Sequence, residues 1–278
     1  MNVGYLQTSP VFGMKERNFE EVAGMVDAYT GARPIDLLVL PELFSTGYTF
    51  VSPEEAASLA EPADGPTAEF LRTIAAKTGG VVVAGFAERD GTRIYNSSLI
   101  VNAADRIGTY RKVQLFNKEN LFFTPGDRAP EVYRFDDFTL GVMICFDWFF
   151  PETMRLLMLD GADIVAHPSN LVLPYCQEAM KTRCLENCMF SVTANRIGRE
   201  ARGEDRFYFT GASQITGPEG SALATAPAKE PFLEVVRIDP AAARNKKINP
   251  YNDLAANRRV DLYSKLVMRA PATTSEEQ

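Results

Sequence analysis

Cys145 ends a compact apolar run, Gly141–Ile144, inside the stretch FTLGVMICFDWFFPE. Pro151 and Glu152 then open an amphipathic stretch closed by Gly161, with the proline, first-turn carboxylate and trailing glycine of a helix. A cysteine on a turn from buried strand towards helix is expected to be exposed. Unpaired N–H groups and the helix dipole would there favour thiolate over thiol. The same residue also fits a small buried hydrophobe at a strand end. A thiol nucleophile needs a base and a site for the negative charge of a tetrahedral intermediate. Two bases are available. His167, the only histidine, lies where an apolar strand stops, and it fits a loop-bonding structural role better than that of a base. Glu42 follows Leu37–Pro41 at the mouth of a buried strand, where desolvation raises a carboxyl pKa towards neutrality. In TYRKVQLFNKE, either Arg111 or Lys112 points inward if the segment is a strand, and an inward Lys112 could hold an oxyanion. Glu119 could hold that lysine or orient the base.

The elements that must position these groups follow from periodicity. Val3–Gln7 is a first strand, and residues 16–29 place Phe19, Val22, Val26 and Tyr29 at helical spacing, with Gly31 and Pro34 as stop signals. Leu37–Leu40 is a continuous apolar strand, as for a sheet covered on both sides. Residues 66–78 form a helix between Pro66 and Gly79. Val81–Glu88 and Asn96–Val101 are strands around a turn at Asp90–Gly91, and Arg106–Phe116 is a further strand. A strand over DIVAHPSN, a helix over 174–188 and a strand over SVTANRIG come next, and from 207 to 238 the pattern is strand and turn. Helices and strands alternate, yet several strands follow one another directly, which fits an α/β sandwich of two mixed sheets.

Bulk properties narrow the function. The formal net charge of −7 gives no footprint for nucleic acid. No apolar run is long enough to span a bilayer, and MNVGYLQTSP lacks an export signal, so a cytoplasmic protein with no membrane partner is expected. Four cysteines, at 145, 176, 184 and 188, form no CxxC pair, and with one histidine they suggest neither a disulfide framework nor a metal site.

Three segments together carry a resemblance: LPELFSTGY around Glu42, YRKVQLF with Glu119 beyond it, and MICFDWFFPE around Cys145. With YNSSLIV at 95–101, FFTPGD at 122–127, HPSN at 167–170, and RCLEN and TANRIG within 183–198, the chain resembles the nitrilase superfamily of carbon–nitrogen hydrolases over roughly residues 1–265. The resemblance implies an αββα four-layer sandwich of two mixed β-sheets flanked by helices. By position it makes Cys145 the nucleophile, Glu42 the general base, Lys112 the oxyanion stabiliser with the Phe146 N–H, and Glu119 the second glutamate of many members. His167 then takes the structural role. It further implies a homodimer or higher homo-oligomer, with 245–265 an interface tail. No composition shift or Gly/Ser linker divides the chain, which fits a single domain over 1–265, and the SEEQ end has the composition of a loose tail over 266–278. No metal or cofactor is called for.

Two departures bear on substrate. Gln114 stands where many members have histidine, and Phe146–Asp147 replaces the Trp-Glu of strict nitrilases, a lean towards small amides or N-carbamoyl amines that release ammonia. A small aliphatic nitrile is the alternative substrate, and a catalytically idle oligomeric binding scaffold the alternative of another class. Tyr48, Phe123, Trp148, Asn170 and Tyr175 lie near the catalytic motifs and are candidate pocket residues.

Overall fold

Apolar runs and chain breakers set the element order. The computed structural model describes residues 1–29 and 34–268. β1 (Asn2–Gln7) leads into α1 (Lys15–Tyr29), which buries Val22 and Val26 one turn apart; the Gly31 stop signal lies outside the described residues. β2 (Leu37–Val39) is buried throughout. α2 (Pro53–Leu59) is anticipated by no periodicity. It is a short helix capped by the Ser52 side chain, which accepts the Glu55 N–H, with proline in the first turn. α3 (Pro66–Thr78) begins at its proline and closes on Gly79 at φ 81°, in the left-handed region. β3 (Val81–Asp90) and β4 (Arg93–Val101) form a hairpin, followed by β5 (Arg106–Arg111) and the four-residue α4 (Glu119–Phe122).

The second half continues with β6 (Val132–Arg134) and β7 (Thr139–Val142), then a 3-10 turn, Cys145–Phe149, and α5 (Pro151–Leu159). β8 (Ile164–Pro168), α6 (Cys176–Asn187) and β9 (Phe190–Ala194) follow. The hairpin β10 (Arg199–Arg202) and β11 (Asp205–Tyr208) precedes β12 (Gln214–Thr216), β13 (Ala222–Thr225) and β14 (Phe232–Arg237).

One sheet has the order β14-β1-β2-β3-β4-β5 and the other β13-β12-β9-β8-β7-β6. In each, three central strands run parallel (β1, β2, β3 and β7, β8, β9) between antiparallel neighbours. The same pairing pattern thus occurs twice, although no repeat is visible in the residues. β1, β2 and β3 face β8, β9 and β12, while α1 and α3 cover the first sheet and α5 and α6 attend the second. This is the αββα sandwich of two mixed sheets.

Period-2 alternation explains why β2 is apolar throughout. Leu38 and Leu40 join Val22, Val26, Leu71 and Ile74 beneath the helices, and the intervening Leu37 and Val39, also fully buried, turn towards the other sheet. Each such side chain contributes about 1.5–3 kcal/mol by leaving water. Compactness divides the chain at Asn245. Met1–Asn245 is one unit, and the stretch from Lys246, expected as interface tail, forms another. Within that second unit a short hairpin, Lys247–Asn249 with Asn252–Asp253, and two 3-10 turns leave Ile248, Tyr251, Val260, Leu262, Leu266 and Val267 exposed.

Candidate active site

Glu42 is delivered by the end of β2. Leu40 continues the pairing through its N–H to the Val83 carbonyl, and the chain then turns, with Leu43 at φ 48°. The turn lies so close to β3 that a Cβ on Gly85 would collide with the Glu42 Cα, so this position requires glycine. Glu42 is fully buried. Its Oε1 accepts hydrogen bonds from the Lys112 Nζ at 2.6 Å and the Asn96 Nδ2 at 2.7 Å, while its Oε2 has no partner among the described residues.

Lys112 stands just past an edge strand. β5 was expected to run to Phe116 but stops at Arg111. The Lys112 N–H still bonds the Asn96 carbonyl, whereas the Gln114 N–H is taken by the Asp147 carboxylate instead of a neighbouring strand. Arg111 turns outward onto Glu88, Asp90 and the Tyr95 ring, and Lys112 turns inward and is fully buried. Its ammonium also donates to Glu119, 2.9 Å from Oε1 and 2.8 Å from Oε2. Glu119 Oε1 in turn accepts the Tyr48 hydroxyl at 2.7 Å.

Cys145 departs from the sequence expectation. It is only 6% exposed and adopts φ 41°, a left-handed conformation that non-glycine residues enter only when their surroundings hold them there. A 3-10 turn separates it from α5, so the helix dipole does not begin at the sulfur. Burial, and then the Glu42 charge, push the thiol well above its usual range. Lys112 and the Asn170 N–H pull the other way without reversing the shift. The resting group is therefore a thiol that needs a base.

Burial likewise raises the Glu42 carboxyl, with Lys112 opposing and Glu119 adding to the rise. Burial alone would lower Lys112, but Glu119 and Glu42 more than reverse it, holding the ammonium above its ordinary range. One cation between two carboxylates leaves a buried net negative charge when all three are ionised, which is why protons are held tightly here.

His167 is fully buried, and its Nε2 lies 2.9 Å from the Cys145 carbonyl oxygen, with Thr193 Oγ1 3.1 Å from Nδ1. Burial lowers its pKa to about 4. It braces the nucleophile's backbone as a neutral ring. Asn170 bonds the Glu42 carbonyl through Nδ2 at 2.9 Å and turns its N–H to the sulfur, tying base to nucleophile.

A small cavity opens on Cys145, lined by Phe116, Phe146, Trp148, Asn170 and Leu171–Leu173. Of the sequence candidates, Phe146, Trp148 and Asn170 line it. Tyr48 and Phe123 lie instead in a buried aromatic cluster with Phe50 and Phe209, and Tyr48 serves Glu119. Tyr175 is 59% exposed at the start of α6, apart from this cavity. Sequence reasoning missed Asn96, which sits inside the YNSSLIV segment, and the apolar run Leu171–Leu173 directly after HPSN. Among the described residues no His, Cys, Asp and Glu cluster could hold a metal ion, and no helix is long and apolar enough to cross a membrane.

Known proteins resemble this chain along most of its length. A nitrilase of Pyrococcus abyssi (strain GE5 / Orsay) is 42% identical over 264 residues, covering 95% of this chain and 99% of its own. An (R)-stereoselective amidase of Pseudomonas sp is 36% identical over 213 residues, 76% of this chain and 75% of its own. Among solved structures, a variant of the Nesterenkonia AN1 amidase from the nitrilase superfamily superposes with a TM-score of 0.79 at 25% identity, covering 96% of this chain and 97% of that one. Residues 2–247 match the family described as carbon-nitrogen hydrolase, and the chain belongs to that family.

Proposed function

We propose that this carbon–nitrogen hydrolase cleaves a small amide or N-carbamoyl amine through a thioester on Cys145, releasing ammonia from a primary amide. The observation that carries the reading is the divided state of the Glu42 carboxylate. One oxygen is pinned by Lys112 and Asn96, and the other has no partner among the described residues. Such a group is oriented yet able to take and return a proton.

Glu42 takes the thiol proton as the sulfur attacks the carbonyl carbon. The oxyanion that forms is held by the Lys112 ammonium and the Phe146 N–H. Protonated Glu42 returns its proton to the departing nitrogen as the tetrahedral adduct collapses. Water then attacks the thioester, giving its proton to the same carboxylate, and the acid leaves as the thiol is restored. Glu119, fixed by Tyr48, holds Lys112 in place throughout.

The relatives' names include both amidase and nitrilase, so the test is ammonia release on matched small amides, carbamoyl amines and nitriles. Amides or carbamoyl amines should show the higher kcat/KM, and Cys145→Ala should lose all turnover. A nitrile preferred across the panel moves the substrate class to nitriles, and a fully active Cys145→Ala ends the thioester reading. Self-association is part of the same proposal. It is supported by Phe149, Leu156, Leu159 and Leu185, exposed on and beside α5 and α6. Light scattering of the active enzyme should return at least a dimer.

A further inference from the structure

Asp147, two residues past the nucleophile, is fully buried, and its carboxylate is engaged by three donors. Oδ2 accepts the Ile144 N–H at 2.9 Å and the Tyr110 hydroxyl at 2.8 Å, and Oδ1 accepts the Gln114 N–H at 2.9 Å. These donors come from both sides of the gap that the reaction must span. Ile144 immediately precedes Cys145, on the turn that follows β7 of the second sheet. Tyr110 and Gln114 flank Lys112, at the end of β5 on the edge of the first sheet. One carboxylate thus joins the turn presenting the thiol and the Phe146 N–H to the segment presenting the ammonium.

We propose that Asp147 is a positioning residue that sets the separation between the Phe146 N–H and the Lys112 ammonium, and so the fit of the oxyanion. The inference rests on the proposed thioester mechanism. It also replaces the expectation that Asp147 reports substrate class, because both carboxylate oxygens are committed to the scaffold. The turn needs such a tie. Cys145 sits at φ 41°, and Lys112 lies beyond the last ladder pair of β5, with its N–H on the Asn96 carbonyl as the last bond to β4. Removing the Tyr110 hydroxyl loosens the link on the Lys112 side and leaves Cys145, Glu42 and the cavity wall untouched.

The experiment compares wild type, Tyr110→Phe and Asp147→Asn in one ammonia-release assay, with the rate of Cys145 alkylation by iodoacetamide measured alongside. Tyr110→Phe should lower kcat about tenfold, the scale of a hydrogen bond to a charged group, with KM and the alkylation rate close to wild type. Asp147→Asn should lower kcat further, since its amide would set a donor against an N–H; should it fail to fold, Tyr110→Phe carries the test. An unchanged kcat in Tyr110→Phe, a rise in KM with kcat intact, or alkylation falling in step with kcat would each overturn the proposal. A wild type that releases no ammonia fails the mechanism itself. A turning-over wild type beside an unimpaired Tyr110→Phe fails only this inference.

Discussion

The His167 Nε2 lies 2.9 Å from the carbonyl oxygen of Cys145, so the one histidine of the chain braces the nucleophile's backbone. Its pKa is lowered to about 4 by burial. An unfolded chain takes up a proton on this residue near pH 6.5, whereas the folded chain resists until about pH 4. Stability contributed by neutral His167 is therefore complete above pH 6.5 and lost as pH falls through that window, about 2 kcal/mol of it by pH 5. His167→Gln keeps an N–H for the Cys145 carbonyl but cannot titrate. Urea unfolding should show the wild-type advantage over this variant narrowing by that amount from pH 7 to pH 5. A gap that is constant with pH would contradict a buried neutral imidazole.

Glu42→Gln separates thiol acidity from catalysis. The Glu42 charge is one of the causes holding the Cys145 thiol up, and Lys112 keeps Glu119 as a partner when that charge is removed. The variant should stay folded, and its iodoacetamide-labelling midpoint should move to lower pH. Its kcat should nonetheless fall about 100- to 10,000-fold, because no base remains for either half-reaction. Turnover within tenfold of wild type would remove Glu42 from its assigned role.

A buried ion pair secures the segment that carries Tyr48. Glu200 accepts the Arg196 Nη1 at 2.6 Å, the Thr49 N–H at 2.8 Å and the Thr49 hydroxyl at 2.7 Å, while the Arg196 guanidinium lies 4.0 Å from the Phe209 ring centre. Both side chains are buried, so Glu200→Ala leaves a desolvated cation behind. It should cost about 3–5 kcal/mol in urea unfolding. Arg196→Met added to Glu200→Ala should recover part of that loss. A single-variant cost below about 1 kcal/mol would place this pair among weak surface bridges.

Local signals were legible where one physical cause acts alone. Pro66 and Gly79 bound α3 because ring closure and a left-handed φ are properties of those residues themselves. The apolar β2 leading into Glu42 was legible because burial on both faces leaves no polar alternation. α2 escaped notice because seven residues with one buried side chain, Ala56, make no periodic stripe. The thiol shift runs opposite to the sequence expectation because it depends on the burial of Cys145 and on the Glu42 charge beside it, both set by tertiary packing. Asn96, on β4, and Tyr110, on β5, became site residues only through strand register, which pairs Ser98 with Tyr110 and sets Asn96 beside Lys112. Tyr175 shows the converse, where proximity along the chain to HPSN did not bring its ring into the cavity.

On the proposed thioester mechanism, the acyl group would occupy the cavity beside Cys145. Its free space is about 20 Å3, little more than a single water requires, and Phe116, Phe146, Trp148 and Leu171–Leu173 make most of its wall apolar. An acyl chain of one or two carbons should therefore be accepted, and each further methylene should displace packed side chains instead of filling space. Where a methylene does fit, its burial contributes about 0.8 kcal/mol, roughly a fourfold gain in kcat/KM. Val172 is only partly buried, so Val172→Ala enlarges the wall with little loss of core. A series of straight-chain primary amides should show kcat/KM peaking at a short acyl group in wild type and one carbon later in Val172→Ala. An optimum that does not move, or a wild type favouring long acyl chains, would mean that substrate enters by another face of Cys145.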